Sequence, residues 1–236
     1  MERLDKLLAA TGRWSRKEAK ALIKSGRVLV DGQRPNGPED KVPPEALLTL
    51  DGRPLAADRY TYLMLHKPPG VVSSTQDPRD PTVLTLLPPH LQKTGLFPVG
   101  RLDKDAEGLL LLTNDGPLAH RLLSPRRHVD KVYYVETEGS LTPEDQQALA
   151  QGVTLRDGTL CLPARLERLE APQTALVTIQ EGKYHQVKRM LAAQGKPVRR
   201  LKRLAMGPLT LDPQLPPGAW RPLSQKELAA LHALEE

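Results

Sequence analysis

A single cysteine, Cys161, stands in a chain of 236 residues, so no intramolecular disulfide can form. No Cys/His cluster has zinc spacing, and the lone thiol reads as buried and inert. Nowhere does an apolar run approach the ~20 residues needed to cross a bilayer. The N-terminus, MERLDKLLAATGRW, scatters charges through its apolar positions and lacks the unbroken core of a signal peptide. A cytoplasmic protein with no membrane partner is expected. Glycine-rich phosphate loops are missing as well: EGKYHQVKR has neither P-loop nor dinucleotide spacing, and no regular βαβ repeat runs through the chain.

What is there describes a folded protein. With 39% hydrophobic and 26% charged residues, the composition is that of an ordinary globular chain, long enough for one medium domain and a small one. Lys and Arg total 34 against 28 Asp and Glu, a formal charge of +6 that favours an anionic partner. The distribution of that charge is more informative than its sum.

Leu4, Leu7 and Leu8 fall at helical spacing before TGRW interrupts them. Ser15 to Glu18 then forms a capping box, which predicts a second helix burying Ala19, Leu22 and Ile23 and ending near Gly26. RVLVDGQ supplies a short strand and an Asp-Gly turn. Arg3, Arg13, Arg16, Lys17, Lys20 and Lys24 gather on this unit with few acids between them, which suits phosphate contacts. The segment RLDKLLAATGRWSRKEAKALIKSGRVLVDGQ resembles the S4 RNA-binding domain, and that resemblance implies RNA binding. From about Gln33 the chain turns rich in Pro, Gly and Asp, with ALLTL as one short strand. The expected division is an S4-like domain over residues 1–47, a linker over 48–60 and a larger domain over 61–236.

The larger domain alternates short apolar runs such as YLMLHKPPG, GLLLLTND, KVYYVETEG and TALVTIQEG with irregularly placed helical patterns, including PLAHRLLSP, TPEDQQALAQG and HQVKRMLAAQG. Ser224 to Glu227 is a further capping box. The pattern predicts an α+β fold on an antiparallel or mixed sheet with flanking helices.

In GRLDKDAEGLLLLTND, the acids Asp103, Asp105 and Glu107 occupy alternate positions ahead of four leucines. A calcium loop fails at its ninth and twelfth positions, which hold Leu111 and Asn114. A glycosidase pair is geometrically open, since Asp103 and Asp105 on extended chain would lie ~7 Å apart. A single nucleophilic carboxylate is the third reading: Asp103 at a turn, Gly100 for backbone freedom, and a leucine strand behind to anchor the loop.

Together, GRLDKDAEGLLLLTNDG, SPRRHVDKVYYV and EGKYHQVKRML resemble the pseudouridine synthases of the branch that modifies small-subunit ribosomal RNA and selected large-subunit sites. The resemblance implies the family's nucleophile at Asp103 and its base-displacing arginine at Arg101. It also implies a uracil-stacking tyrosine at Tyr133, a basic partner of the nucleophile at Lys188 with Arg189 as fallback, and Val187 against the other face of the base. Ala106 stands where relatives often have Thr or Ser. The reaction implied needs no metal and no cofactor. Its partner would be ribosomal RNA, small-subunit RNA or its assembly intermediate first, with the protein acting as a monomer. A non-catalytic RNA-binding or assembly factor is the rival reading. His185 reads as an ordinary core or surface histidine, and Arg199, Arg200, Lys202 and Arg203 as contacts to phosphate or solvent.

Overall fold

The structure, a computed structural model, describes residues 1–10, 14–43, 46–55, 60–124 and 127–235. The N-terminal unit comprises β1 (Glu2–Arg3), α1 (Leu4–Ala10), α2 (Arg16–Lys24), β2 (Val28–Val30), β3 (Lys41–Val42), β4 (Leu48–Leu50) and β5 (Arg53–Leu55). The Ser15 hydroxyl accepts from the Glu18 N–H at 3.2 Å, and the Glu18 carboxylate accepts from the Ser15 N–H at 2.7 Å, so the expected box forms. Helix α2 buries Ala19 and Ile23 against Leu4, Leu7 and Leu8, while Leu22 is only partly covered. After β2, Asp31 and Gly32 both take positive φ and Val30 and Gln33 exchange backbone bonds of 2.8 and 2.9 Å, the turn that Asp-Gly favours.

The stretch expected as a linker from residue 48 holds two strands. β4 pairs with both β2 and β5, and Leu48 and Leu55 sink into the same cluster as Leu4 and Val28. Proline misled the reading: Pro54 lies in β5, at the edge of this sheet, where a missing N–H costs no ladder bond.

The larger unit is built on one mixed sheet. Its strands are β6 (Tyr62–Lys67), β7 (Phe97–Pro98), β8 (Glu107–Thr113), β9 (Lys131–Thr137), β10 (Arg165–Arg168), β11 (Thr174–Ile179), β12 (Val198–Met206), β13 (Leu209–Thr210) and β14 (Trp220–Pro222). Their order is β10-β11-β9-β12-β8-β6-β14, with β7 on β8 and β13 on β12. Among the described strands of this sheet every pairing is antiparallel except β8 with β12, which run parallel through Glu107 opposite Lys202 and Gly108 opposite Arg203. Helices α3 (Pro89–Gln92), α4 (Gly116–Leu123), α5 (Pro143–Gln151), α6 (Gln186–Ala193) and α7 (Gln225–His232) flank it. Capping boxes open α5 at Thr142 and Asp145 and α7 at Ser224 and Glu227.

The parallel seam divides the core. On one side Tyr133, Val135, Leu166, Val177, Met190 and Leu191 form a single cluster. On the other, successive leucines of β8 point to opposite faces, Leu109 and Leu111 into one cluster and Leu110 and Leu112 into another. All four are fully buried. That explains an unbroken leucine run in a strand: both faces are covered, and each side chain contributes about 1.5–3 kcal/mol. At the seam, Gly108 has φ of 113°, and a Cβ there would lie 2.3 Å from the backbone oxygen of Arg203. Arg203 is 2% exposed and its Nε donates to the Leu109 carbonyl at 2.8 Å. Arg200 crosses the same seam to Glu107 at 2.6 Å. Arg203 is therefore buried within the sheet, against the expectation of solvent or phosphate contacts, whereas Arg200 pairs with Glu107 while half of its side chain stays exposed.

Candidate active site

The loop from Gly100 to Ala106 joins β7 to β8, and Gly100 supplies the positive φ, 77°, that starts it. Two anchors fix the loop from its own side of the seam. The Ser73 hydroxyl accepts from the Leu102 N–H at 3.0 Å and donates to the Leu102 carbonyl at 2.9 Å. The fully buried Lys67 ammonium donates to the carbonyls of Ala106, Pro68 and Lys104 at 2.7, 3.1 and 3.3 Å. Burial pushes that ammonium down to about 8, although Asp105 and Asp103 pull the other way. From across the seam, the apolar cluster around Met190 takes in Leu102 and Ala106. Ala106 is fully buried there, which favours the methyl group.

The three alternating acids have three different fates. Glu107 is tied to Arg200 in the sheet. Asp105 grips Lys188 through both oxygens, at 2.6 and 2.7 Å, and the ammonium holds its carboxyl below the usual range. Asp103 turns into a cleft, its carboxylate 3.5 Å from Lys188 Nζ and 3.4 Å from His185 Nε2. Lys188 thus reaches both aspartates, with its closer bonds to Asp105.

The cleft encloses about 1080 Å³, and Arg101, Asp103, Tyr133, Lys183, Tyr184 and Val187 are among its lining residues. Tyr133 and Val187 are buried members of the same apolar cluster as Leu102. No hydrogen bond engages the Tyr133 hydroxyl among the described residues. Arg101 is exposed at the wall. Deeper in, Lys131 donates to the Val129 carbonyl at 2.9 Å, and burial, reinforced by Arg203, pushes its ammonium down. Arg189 faces elsewhere: it pairs with Asp157 at 2.5 Å and reaches the Tyr184 carbonyl at 3.4 Å, so the geometry favours Lys188 over this fallback.

The basic residues of the N-terminal unit split into two groups. Arg3 and Arg16 donate to the buried Asp5, and Lys20 lies 3.8 Å from it. Burial alone would raise the Asp5 carboxyl, but the two guanidinium groups overcome it and hold the carboxyl below its ordinary value. Lys17 and Lys24 are exposed and make no ion pair among the described residues. Arg13 lies outside the described residues.

Lys67, Ser73 and His185 are site residues that the sequence reading missed. Lys67 carries one signal, a charge that ends the apolar run YLMLHK, yet its acceptors are backbone atoms that no side-chain pattern encodes. His185 takes a left-handed backbone, φ 48°, just ahead of α6, and only that bend aims its ring at Asp103.

A family model described as RNA pseudouridylate synthase matches residues 61–193. The chain belongs to that family. As a pseudouridine synthase it is an enzyme of the isomerase class, and an S4 domain matched over residues 2–48 precedes the synthase region. An uncharacterized RNA pseudouridine synthase of Bacillus subtilis (strain 168) is 47% identical over 98% of both chains. Ribosomal small subunit pseudouridine synthase A of Pseudomonas aeruginosa (strain PAO1) is 46% identical over 97% of this chain and 100% of its own. A crystal structure of a pseudouridylate synthase superposes with a TM-score of 0.70 at 36% identity, covering 98% of this chain and 100% of the other. The mixed α+β fold with a leading S4 domain is that of this family.

Proposed function

We propose that this synthase isomerises one uridine of ribosomal RNA, in the small subunit, with Asp103 as the group that acts on the sugar. The observation that carries the reading is the Asp103 carboxylate, held on a doubly anchored loop, open to the cleft and flanked by the Lys188 and His185 side chains. In the reaction the N1–C1′ bond breaks, the uracil turns, and C5 closes on C1′. The proton lost from C5 is balanced by one gained at N1. Asp103 serves either by bonding to C1′ or by taking the 2′ proton, and both routes need an ionised carboxylate.

Tyr133 and Val187 offer apolar surfaces between which a detached base can be held, and the Tyr133 hydroxyl is available for proton transfer. Arg101, exposed at the wall, fills the gap that the extruded base leaves in the stack. Lys17 and Lys24 of the S4 domain contact phosphate, with the cations around Asp5 adding to the field. The small-subunit assignment is supported by the name of the Pseudomonas relative, which aligns along its whole length.

The test is site-resolved pseudouridine mapping of unmodified small- and large-subunit RNA, naked and as assembly intermediates, after incubation with the wild type and Asp103→Ala. One new pseudouridine in small-subunit RNA, absent with the variant, is expected. A product that persists with Asp103→Ala refutes the role of Asp103. A product confined to large-subunit RNA moves the substrate, and no product on any RNA favours an assembly factor.

A further inference from the structure

Tyr184 stands out on the cleft wall: it is 72% exposed, in a protein with only 3% aromatic residues. One face of its ring is taken by the His185 imidazole, stacked at a centroid distance of 3.8 Å and an interplanar angle of 18°. The opposite face is open. The pair is also held firmly in place. Gln186, which follows it, accepts from the Lys183 N–H at 2.9 Å and donates to Glu181 at 2.6 Å, while Glu181 also accepts from the Leu162 N–H at 2.8 Å. Gln186 and Glu181 are both buried, so this network closes the Glu181–Gln186 turn from beneath. The left-handed backbone of His185, a strained conformation for a residue other than glycine, is part of the same bend.

We propose that the outer face of Tyr184 is a stacking site for an unpaired nucleobase adjacent to the target uridine. This rests on the reading of the chain as an RNA-modifying enzyme acting through Asp103. A rigid, exposed aromatic face accepts any base with little ordering cost, because every base presents a π-surface. The geometry also gives the contact a purpose. The stack runs from the bound base through Tyr184 to His185, whose Nε2 is 3.4 Å from the Asp103 carboxylate. A base seated on Tyr184 is therefore at a set distance from the reactive carboxylate, and so is the sugar of its neighbour. The site contributes by fixing which nucleotide enters the cleft.

The test uses the RNA fragment that carries the mapped uridine, with 2-aminopurine placed in turn on each side of it. With the wild type, product formation is measured first; then fluorescence quenching on binding is compared among wild type, Tyr184→Phe and Tyr184→Ala. Quenching at one of the two positions is expected, kept by Tyr184→Phe and lost in Tyr184→Ala, with KM raised about ten-fold by the alanine and kcat changed less than three-fold. Because the side chain is exposed, all three proteins should unfold at the same urea concentration. Product formation with unchanged KM and quenching in Tyr184→Ala overturns the stacking site alone. Absence of product with the wild type overturns the catalytic reading and this inference with it.

Discussion

Lys67 makes a prediction in which stability and activity move in opposite directions. Its ammonium is fully buried, and burial pushes it down to about 8. In the unfolded chain it titrates near 10.4. Between those values the unfolded chain holds a proton that the native protein has released, so native stability must rise with pH across this window. The whole effect amounts to about 3 kcal/mol, complete near pH 10.5 and absent below pH 7. The assay is urea unfolding followed by tryptophan fluorescence from pH 7 to 10.5, on the wild type and Lys67→Met. Taking the difference between the two proteins cancels every other lysine, including the buried Lys131. The wild type should gain on the variant by about 3 kcal/mol as pH rises. Turnover should fall over the same window, because a neutral amine has two protons for three carbonyls and the Asp103 loop loses one anchor. A difference curve flat to within about 1 kcal/mol would refute the reasoning, since a solvated lysine gives no such gain.

Two further substitutions probe the seam and the aspartates. Gly108→Ala combines a strained φ with a clash against the Arg203 backbone, and should cost about 3 kcal/mol or more in urea unfolding; a loss below about 1 kcal/mol would mean the strands separate freely. Asp105→Asn releases Lys188 from a pair in which the Asp105 side chain is 75% exposed, so pseudouridine formation should stay within about ten-fold of wild type, whereas Lys188→Met should lower it about a hundred-fold. Equal losses in the two variants would assign the work to the Asp105–Lys188 pair rather than to Asp103.

Capping boxes, the Asp-Gly turn and the leucine run are local signals, and the elements they predicted are in the structure. Two edge strands were not legible. β10 exposes Arg165, Glu167 and Arg168 and buries Leu166 alone, and β14 has three residues, including Pro222. Such segments become strands only because a neighbour offers its open edge. At the site, Asp103, Tyr133 and Val187 could be found because the motif resemblance runs across three separated segments, and the cleft brings them together. Ser73 and Lys67 were hidden because they bind backbone atoms, which leave no trace in residue identity. The sequence reading also spread the arginines of β12 over the surface. Only the parallel pairing with β8 shows why Arg203 is buried.

The seam between β8 and β12 has a mechanical consequence. Asp103 precedes β8, while Tyr133 and Lys188 ride on elements beyond β12, so these three side chains are mounted on two plates joined along one line. Rotation of one plate against the other acts on the 3.5 Å gap between Asp103 and Lys188 like a pair of jaws. The outer strands β10 and β14 lie at the far rims of those plates, one at each end of the sheet.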